Sequence, residues 1–306
     1  MSTTLSIILF FACFILPFSA QAVENLELCS AEELQSKLAD HNLVIIDARS
    51  ALSYRKGHIK GALHLDAGCS GPLVEKVGEV PCYLKNSEEI VVLLEKKGVC
   101  PQREIVVYGD RHAWGAEGRL FWLLKKLGFS NIALLDGGYD HWQSNSGPTS
   151  AIFADHKTPC KASDMVNLSF AKLQRSNLNG ATLQSRYQEG NLIFLDVRNR
   201  NEYEGAILYH EKRGGHLPEA LHLHWEDFWN DDYTLKAKAE LLKKVKEAGL
   251  PLPEQAQKKL IVTYCTGGIR SGFTWFVLSW LGYPEVENYD NGFWEWASRP
   301  ELPIEH

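Results

Sequence analysis

Residues 43–65 read LVIIDARSALSYRKGHIKGALHL, and residues 192–223 read LIFLDVRNRNEYEGAILYHEKRGGHLPEALHL. The second stretch rewrites the first. Asp47, Arg49, Tyr54 and Gly57-His58 answer to Asp196, Arg198, Tyr203 and Gly215-His216, with nine more residues in the second copy before its Gly-His. The pattern recurs further on: IVVYGDRHAWGAEGRLFWLLKKLGFSNIALLDGGYDHW (105–142) returns as IVTYCTGGIRSGFTWFVLSWLGYPEVENYDNGFWEW (261–296). Similarity at this spacing means one architecture built twice. In each copy, short runs rich in β-branched residues (LVIID, LIFLD, EIVVY, LIVTY) alternate with longer helical stretches. Such alternation predicts an α/β fold of two tandem domains, each a largely parallel sheet flanked by helices. In SAEELQSKL, Ser30 followed by Glu33 reads as a capping box that starts a helix.

The chain has 306 residues, enough for two cores of ordinary size. Its apolar and charged fractions, 45% and 23%, are those of a globular protein. A net charge of -6, with no long basic run, gives no footing for nucleic acid. Nine tryptophans are read as core residues. Residues 1–22 read as a secretory signal: the apolar run from Leu5 to Phe18 is too short to span a bilayer comfortably, and Ala20-Gln21-Ala22 supplies a small-residue cleavage site. Met1 to Thr4 carries no Lys or Arg, so an uncleaved anchor is the alternative. No other segment is long and apolar enough for a membrane, so the mature chain is expected to have no span and to be secreted, into the periplasm. The organisation expected is a signal peptide over 1–22, a first domain over 23–150, a polar linker over 151–159 and a second domain over 160–306.

Cysteines stand at 13, 29, 69, 82, 100, 160 and 265. Cys13 leaves with the signal. In an oxidising compartment Cys69 and Cys82, which flank a Gly- and Pro-bearing loop, are the foremost disulfide candidates; small buried hydrophobes are the other reading.

Cys265 is different. It follows the strand LIVTY directly and precedes Thr266, Gly267, Gly268, Ile269 and Arg270, with a helix expected from near Ser271. Ligands bind beyond the carboxyl ends of parallel strands. Glycines permit a tight turn whose amides converge on an anion, and the helix N-terminus adds positive potential. A thiol there is expected to have a lowered pKa. The first copy serves as a control: at the matching point it has YGDRHAWGAEGR, with Gly109 or Asp110 in place of the cysteine. Cysteine phosphatases place five residues between Cys and Arg; here four separate Cys265 from Arg270, one too few to enclose phosphate. A single sulfur suits the shorter loop.

The paired DAR and DVR strands, GHIKGA and RGGHLPEA, the loop CTGGIRS, and TWFVLSWLGYPEVENYDNGFWEW together resemble the two-domain rhodanese family, of the thiosulfate or 3-mercaptopyruvate sulfurtransferase type. The resemblance covers essentially the whole mature chain. It implies an inactive first domain and a catalytic second one. It also implies a persulfide on Cys265, a small sulfur-containing donor, a thiol or cyanide acceptor, and neither metal nor organic cofactor. Thr266 through Arg270 would form the persulfide-binding loop. Arg270 would either hold an anionic donor or brace the loop. Asp196 and Arg198 are read as loop support, and His216 as structural. Departures bear on the substrate: Thr266-Gly267 stands where animal thiosulfate-using members have Arg and Lys, and Glu202 where they have a further Arg. The mercaptopyruvate pattern, Cys-Gly-Ser-Gly, is not met. Arg213, in the insertion, is the candidate replacement cation. A sulfur carrier or partner-binding protein of the same fold, and a phosphatase or arsenate reductase, are the alternative functions.

Overall fold

The computed structural model describes residues 27–152, 158–165, 168, 178–257 and 259–306. The signal read over 1–22 and the middle of the linker lie outside the described residues.

Each half of the chain builds a parallel sheet. In the first, the strands run in the order Glu27–Cys29, Ile132–Leu135, Glu104–Tyr108, Leu43–Asp47, Leu63–His64. In the second, the order is Leu221–His222, Leu192–Asp196, Leu260–Tyr264, Val286–Tyr289. The registers repeat: Asp47 pairs with Tyr108, and Asp196 with Tyr264. Strand Leu43–Asp47 is buried along its whole length. It lies inside the sheet with both faces covered, which is why it reads as an unbroken apolar run rather than an alternating one. Ser30 caps the helix Ala31–Lys37 with the reciprocal Glu33 bond of a capping box.

The two domains share a core. One continuous apolar cluster takes in Phe121 and Leu124 of the first half and Phe273 and Phe276 of the second. Its centre is the crossing of the helices Ala116–Leu127 and Ile269–Trp280. These helices meet at two glycines in matching positions. A Cβ on Gly118 would stand 2.2 Å from the Cα of Phe273, and one on Gly272 would stand 2.7 Å from the Cα of Arg119. The rings of Phe121 and Phe276 then pack edge to face, centroids 4.9 Å apart.

Polar ties cross the same interface. Arg119 donates to both oxygens of Asp290, at 2.8 and 2.6 Å, and both residues are buried. Its Nη2 also donates to the Cys82 carbonyl, and Nη1 reaches the Cys82 sulfur, within the first domain. Lys126 pairs with Glu287 at 2.6 Å.

Two disulfides staple the chain. Cys69–Cys82 closes the loop singled out in the sequence. Cys100–Cys160 was not foreseen; it ties the start of the second domain's segment to the first domain across 60 residues. Cys29 is a buried thiol whose sulfur lies 3.5 Å from the Ser30 carbonyl. Among the described residues no helix is long and apolar enough to cross a membrane.

Candidate active site

Cys265 follows strand Leu260–Tyr264, an interior strand of the second sheet, at its carboxyl end. It is buried and in no disulfide. The helix behind it starts at Ile269 rather than near Ser271. Gly268, at φ +82°, makes the sharp entry possible. A side chain at Gly268 would also meet the Asp290 backbone at 2.2 Å, and one at Gly267 would meet the Trp294 ring at 2.4 Å. These two glycines are fixed by close approach as well as by turn geometry.

The loop is held from its carbonyl side. The amides of Phe293 and Trp294, in the first turn of helix Gly292–Ser298, donate to the carbonyls of Cys265 and Thr266 at 2.8 and 3.0 Å. Asn288 Nδ2 donates to the Gly268 carbonyl at 3.1 Å. The Ser271 hydroxyl lies 3.7 Å from the Cys265 sulfur, the one side-chain hydroxyl among the described residues placed to donate to it.

Arg270 is the cation of this loop, and it is paired internally. Nη1 and Nη2 donate to the two carboxylate oxygens of Glu202 at 2.7 and 2.8 Å. Nη2 also donates to the Thr266 hydroxyl, which in turn donates to Glu202 at 2.7 Å. All three side chains are buried. Burial works to raise the Glu202 pKa, but the Arg270 and Thr266 bonds outweigh it and hold the carboxyl below its usual range. Burial likewise disfavours the Arg270 charge, and Glu202 and the nearby Cys265 sulfur overcome it. Of the two roles open to Arg270, its geometry is that of a brace. Glu202 itself sits in the capping box of helix Arg200–Tyr203, with Asn199 as its partner. Asn199-x-x-Glu202 carries the local pattern of a cap, but nothing local to it says that the same carboxylate receives the loop arginine.

Asp196 and Arg198 stand one strand away. Asp196 accepts from the Arg198 amide and side chain, and Arg198 reaches the Gly215 carbonyl at 2.7 Å while lying over the Phe293 ring at 4.0 Å. Through Phe293 they contact helix Gly292–Ser298, whose first-turn amides bind the loop carbonyls. His216 stacks on Tyr203 at 3.8 Å and bonds the Tyr203 carbonyl through Nδ1.

Arg213 corrects the sequence reading. It does not face the loop: its guanidinium donates to the carbonyls of Trp296, Ala297, Arg299 and Leu302. These carbonyls lie at and beyond the carboxyl end of helix Gly292–Ser298, and a planar cation with several donors reaches them together, adding to the backbone amides that Trp296 and Arg299 already accept.

A family model described as the rhodanese-like domain matches residues 30–145 and again 180–299. The chain belongs to the rhodanese family. It is 30% identical over 275 residues to a protein of Azotobacter vinelandii named thiosulfate sulfurtransferase, covering 89% of this chain and 94% of that one. It is 28% identical over 288 residues to the sulfur carrier protein TtuD of Thermus thermophilus, covering 90% and 95%. With such relatives along nearly its whole length it is a sulfurtransferase. The anaerobic ergothioneine biosynthesis enzyme of Chlorobium limicola shares the fold, with a TM-score of 0.72, at 23% identity over 86% of this chain and 64% of that one.

The two rhodanese domains differ at the decisive point. The register places Gly109 directly after Tyr108, as Cys265 follows Tyr264. A Cβ on Gly109 would lie 1.9 Å from Oε2 of Glu117. A buried carboxyl thus fills the space that the cysteine side chain occupies in the second rhodanese domain. Glu117 accepts from the Tyr233 hydroxyl at 3.2 Å through its other oxygen, and burial pushes its pKa up to about 8. The scaffold around the gap is preserved. Arg49 binds Asp47 and the Gly57 carbonyl and lies over Tyr139, as Arg198 does with Asp196, Gly215 and Phe293. Tyr54 and His58 stack at 3.8 Å, like Tyr203 and His216.

Proposed function

We propose that the second rhodanese domain is the catalytic one and that Cys265 carries sulfur as a persulfide. The thiolate attacks the sulfane sulfur of a donor such as thiosulfate. The new S–S bond forms on Cys265, and the old one breaks with its electron pair leaving on sulfite. Cyanide or a thiol then attacks the outer sulfur, and the Cys265 thiolate is restored. Electrons balance over the two half-reactions, with no external oxidant.

The observation that carries this reading is the placing of Cys265 at the end of an interior parallel strand, before the N-terminus of the twelve-residue helix Ile269–Trp280. Peptide dipoles and the Ser271 hydroxyl meet negative charge on sulfur there. The carbonyls of Cys265, Thr266 and Gly268 are tied to other groups, which leaves the amide edge of the turn for the persulfide. Arg270 holds the loop in shape through Glu202. The first domain, with Glu117 in the nucleophile's place, has no such centre and acts as a packing partner.

Export to the periplasm is part of the proposal. It rests on the apolar amino terminus and finds support in the two disulfides, which persist in oxidising compartments.

A second reading, favoured by the similarity to the Thermus sulfur carrier, keeps the persulfide but makes the acceptor a protein thiol rather than a small molecule. Incubation with thiosulfate and cyanide tests both. Catalytic thiocyanate formation that Cys265→Ser abolishes supports the enzyme. A persulfide that forms once and is not turned over by cyanide supports the carrier. Thiocyanate made at an undiminished rate by folded Cys265→Ser contradicts both.

A further inference from the structure

Of the nine tryptophans, eight are buried or half-buried, and Trp114 alone among the described residues is exposed, at 48%. Its backbone is in the left-handed region, φ +60°, which a bulky side chain rarely adopts. A strained backbone that presents an aromatic ring to solvent gains nothing for the core, and such outliers gather where a ligand meets the protein. Trp114 belongs to the loop of the first domain that lacks the cysteine, yet it faces the loop of the second. The Arg270 guanidinium lies 5.6 Å from its ring centre and 5.8 Å from that of Tyr209, and the two rings meet edge to face at 6.2 Å. Tyr209 comes from the nine-residue insertion and is fixed by the Trp294 indole, which donates to its carbonyl at 2.9 Å. Beside it in that insertion, Ile207 and Leu208 are about half exposed. Of the seven large apolar side chains exposed among the described residues, three are Trp114, Ile207 and Leu208.

The Lys and Arg side chains of the two loops and of the insertion have partners: Arg270 is bound by Glu202, Arg213 by backbone carbonyls, Arg111 by Asp140 and Lys212 by Glu79. His224 is kept toward its neutral form by burial, with the Arg270 charge adding to the effect. A small dianion arriving at Cys265 would meet two aromatic rings and an already paired guanidinium. An apolar group would bury its surface on the same rings.

We propose that Trp114 and Tyr209, with Ile207 and Leu208 beside them, form a specificity wall that favours sulfur donors with an uncharged, apolar body, organic persulfides R–S–SH, over small dianions such as thiosulfate. This rests on the reading of Cys265 as the sulfur acceptor. In the step, the Cys265 thiolate attacks the terminal sulfur of R–S–SH. A bond forms between the two sulfur atoms, the S–S bond of the donor breaks, and its electron pair leaves on R–S⁻. The proton stays on the transferred sulfur.

The test uses the full mature chain and compares second-order rates of Cys265 loading, followed by intact mass, with benzyl hydropersulfide and with thiosulfate. The ratio of the two rates cancels effects common to both donors. Glycine tolerates the backbone at position 114, so W114G keeps the fold. The ratio is expected to fall about tenfold in W114G, the scale of a lost apolar contact, and to be largely retained in W114F. W114K should shift the ratio further toward thiosulfate. A ratio unchanged in W114G, including one in which both rates fall in proportion, overturns the specificity wall while leaving sulfur transfer intact. Absence of any sulfur adduct on the wild-type chain from either donor overturns the sulfurtransferase mechanism, and the wall with it.

Discussion

Both carboxylate oxygens of Glu202 are taken by the guanidinium of Arg270, at 2.7 and 2.8 Å, in the protein interior. The charge that the loop sequence advertises is therefore compensated before any substrate arrives. Removing one partner leaves the other buried and uncompensated. Arg270→Ala and Glu202→Ala should each cost about 3–5 kcal/mol, whereas an apolar pair of similar volume, Arg270→Met with Glu202→Leu, should recover much of the loss. Denaturant unfolding of the singles and the double measures this. Equal losses that simply add would show that the two residues do not act as a pair.

Glu117 gives the protein a pH dependence. Its carboxyl is pushed from the ordinary 4.5 to about 8 when folded, by burial in the first place, with Asp110 and Asp47 adding to it and the Tyr233 hydroxyl opposing. Below about pH 4.5 the group is protonated in both states. Between 4.5 and 8 the unfolded chain has lost the proton that the folded chain keeps, so stability falls as pH rises, by up to about 1.4 kcal/mol per unit. Glu117→Gln should flatten this part of the stability curve. An unchanged slope in Glu117→Gln would mean that the carboxyl ionises freely in the fold.

The amount of this that could be read from the sequence follows from how local each feature is. The strands LVIID, LIFLD, EIVVY and LIVTY appear at their expected limits because apolar runs with both faces buried carry their own signal. Cys265 was legible because the internal repeat supplies its own control. The Cys100–Cys160 disulfide was not, since 60 residues of intervening chain give no hint of which thiols meet. Arg213 looked like a free cation in an insertion; its partners are carbonyls at a helix end far along the chain, invisible as side-chain chemistry. The clash of Gly109 with Glu117 depends on a strand register and a helix position at once, so only the folded chain reveals it.

The helix crossing at Gly118 and Gly272 should tolerate no added methyl. Gly118→Ala would place a carbon 2.2 Å from the Phe273 backbone, so the domains must separate locally. Overpacking of this kind costs about 1–3 kcal/mol or more. Thermal unfolding of Gly118→Ala checks it, and a melting temperature equal to the wild type's would mean that the helices are not in such close contact.

The Cys100–Cys160 bridge closes a loop of 60 residues. In the chain-entropy account a loop of that size is worth about 4 kcal/mol. Cys100→Ser with Cys160→Ser should lower stability on that scale and leave loading of Cys265 in place. Loss of loading in a variant that remains folded would show that the bridge also governs the active loop.

The central claim is that Cys265 carries the sulfur. Intact-mass measurement of the mature chain after exposure to thiosulfate or an organic persulfide tests it most directly. The account predicts a gain of about 32 Da, one sulfur bound covalently, reversed by a thiol reductant and missing in Cys265→Ser. The same gain in Cys265→Ser, or no gain from any donor in the wild-type chain, would contradict it.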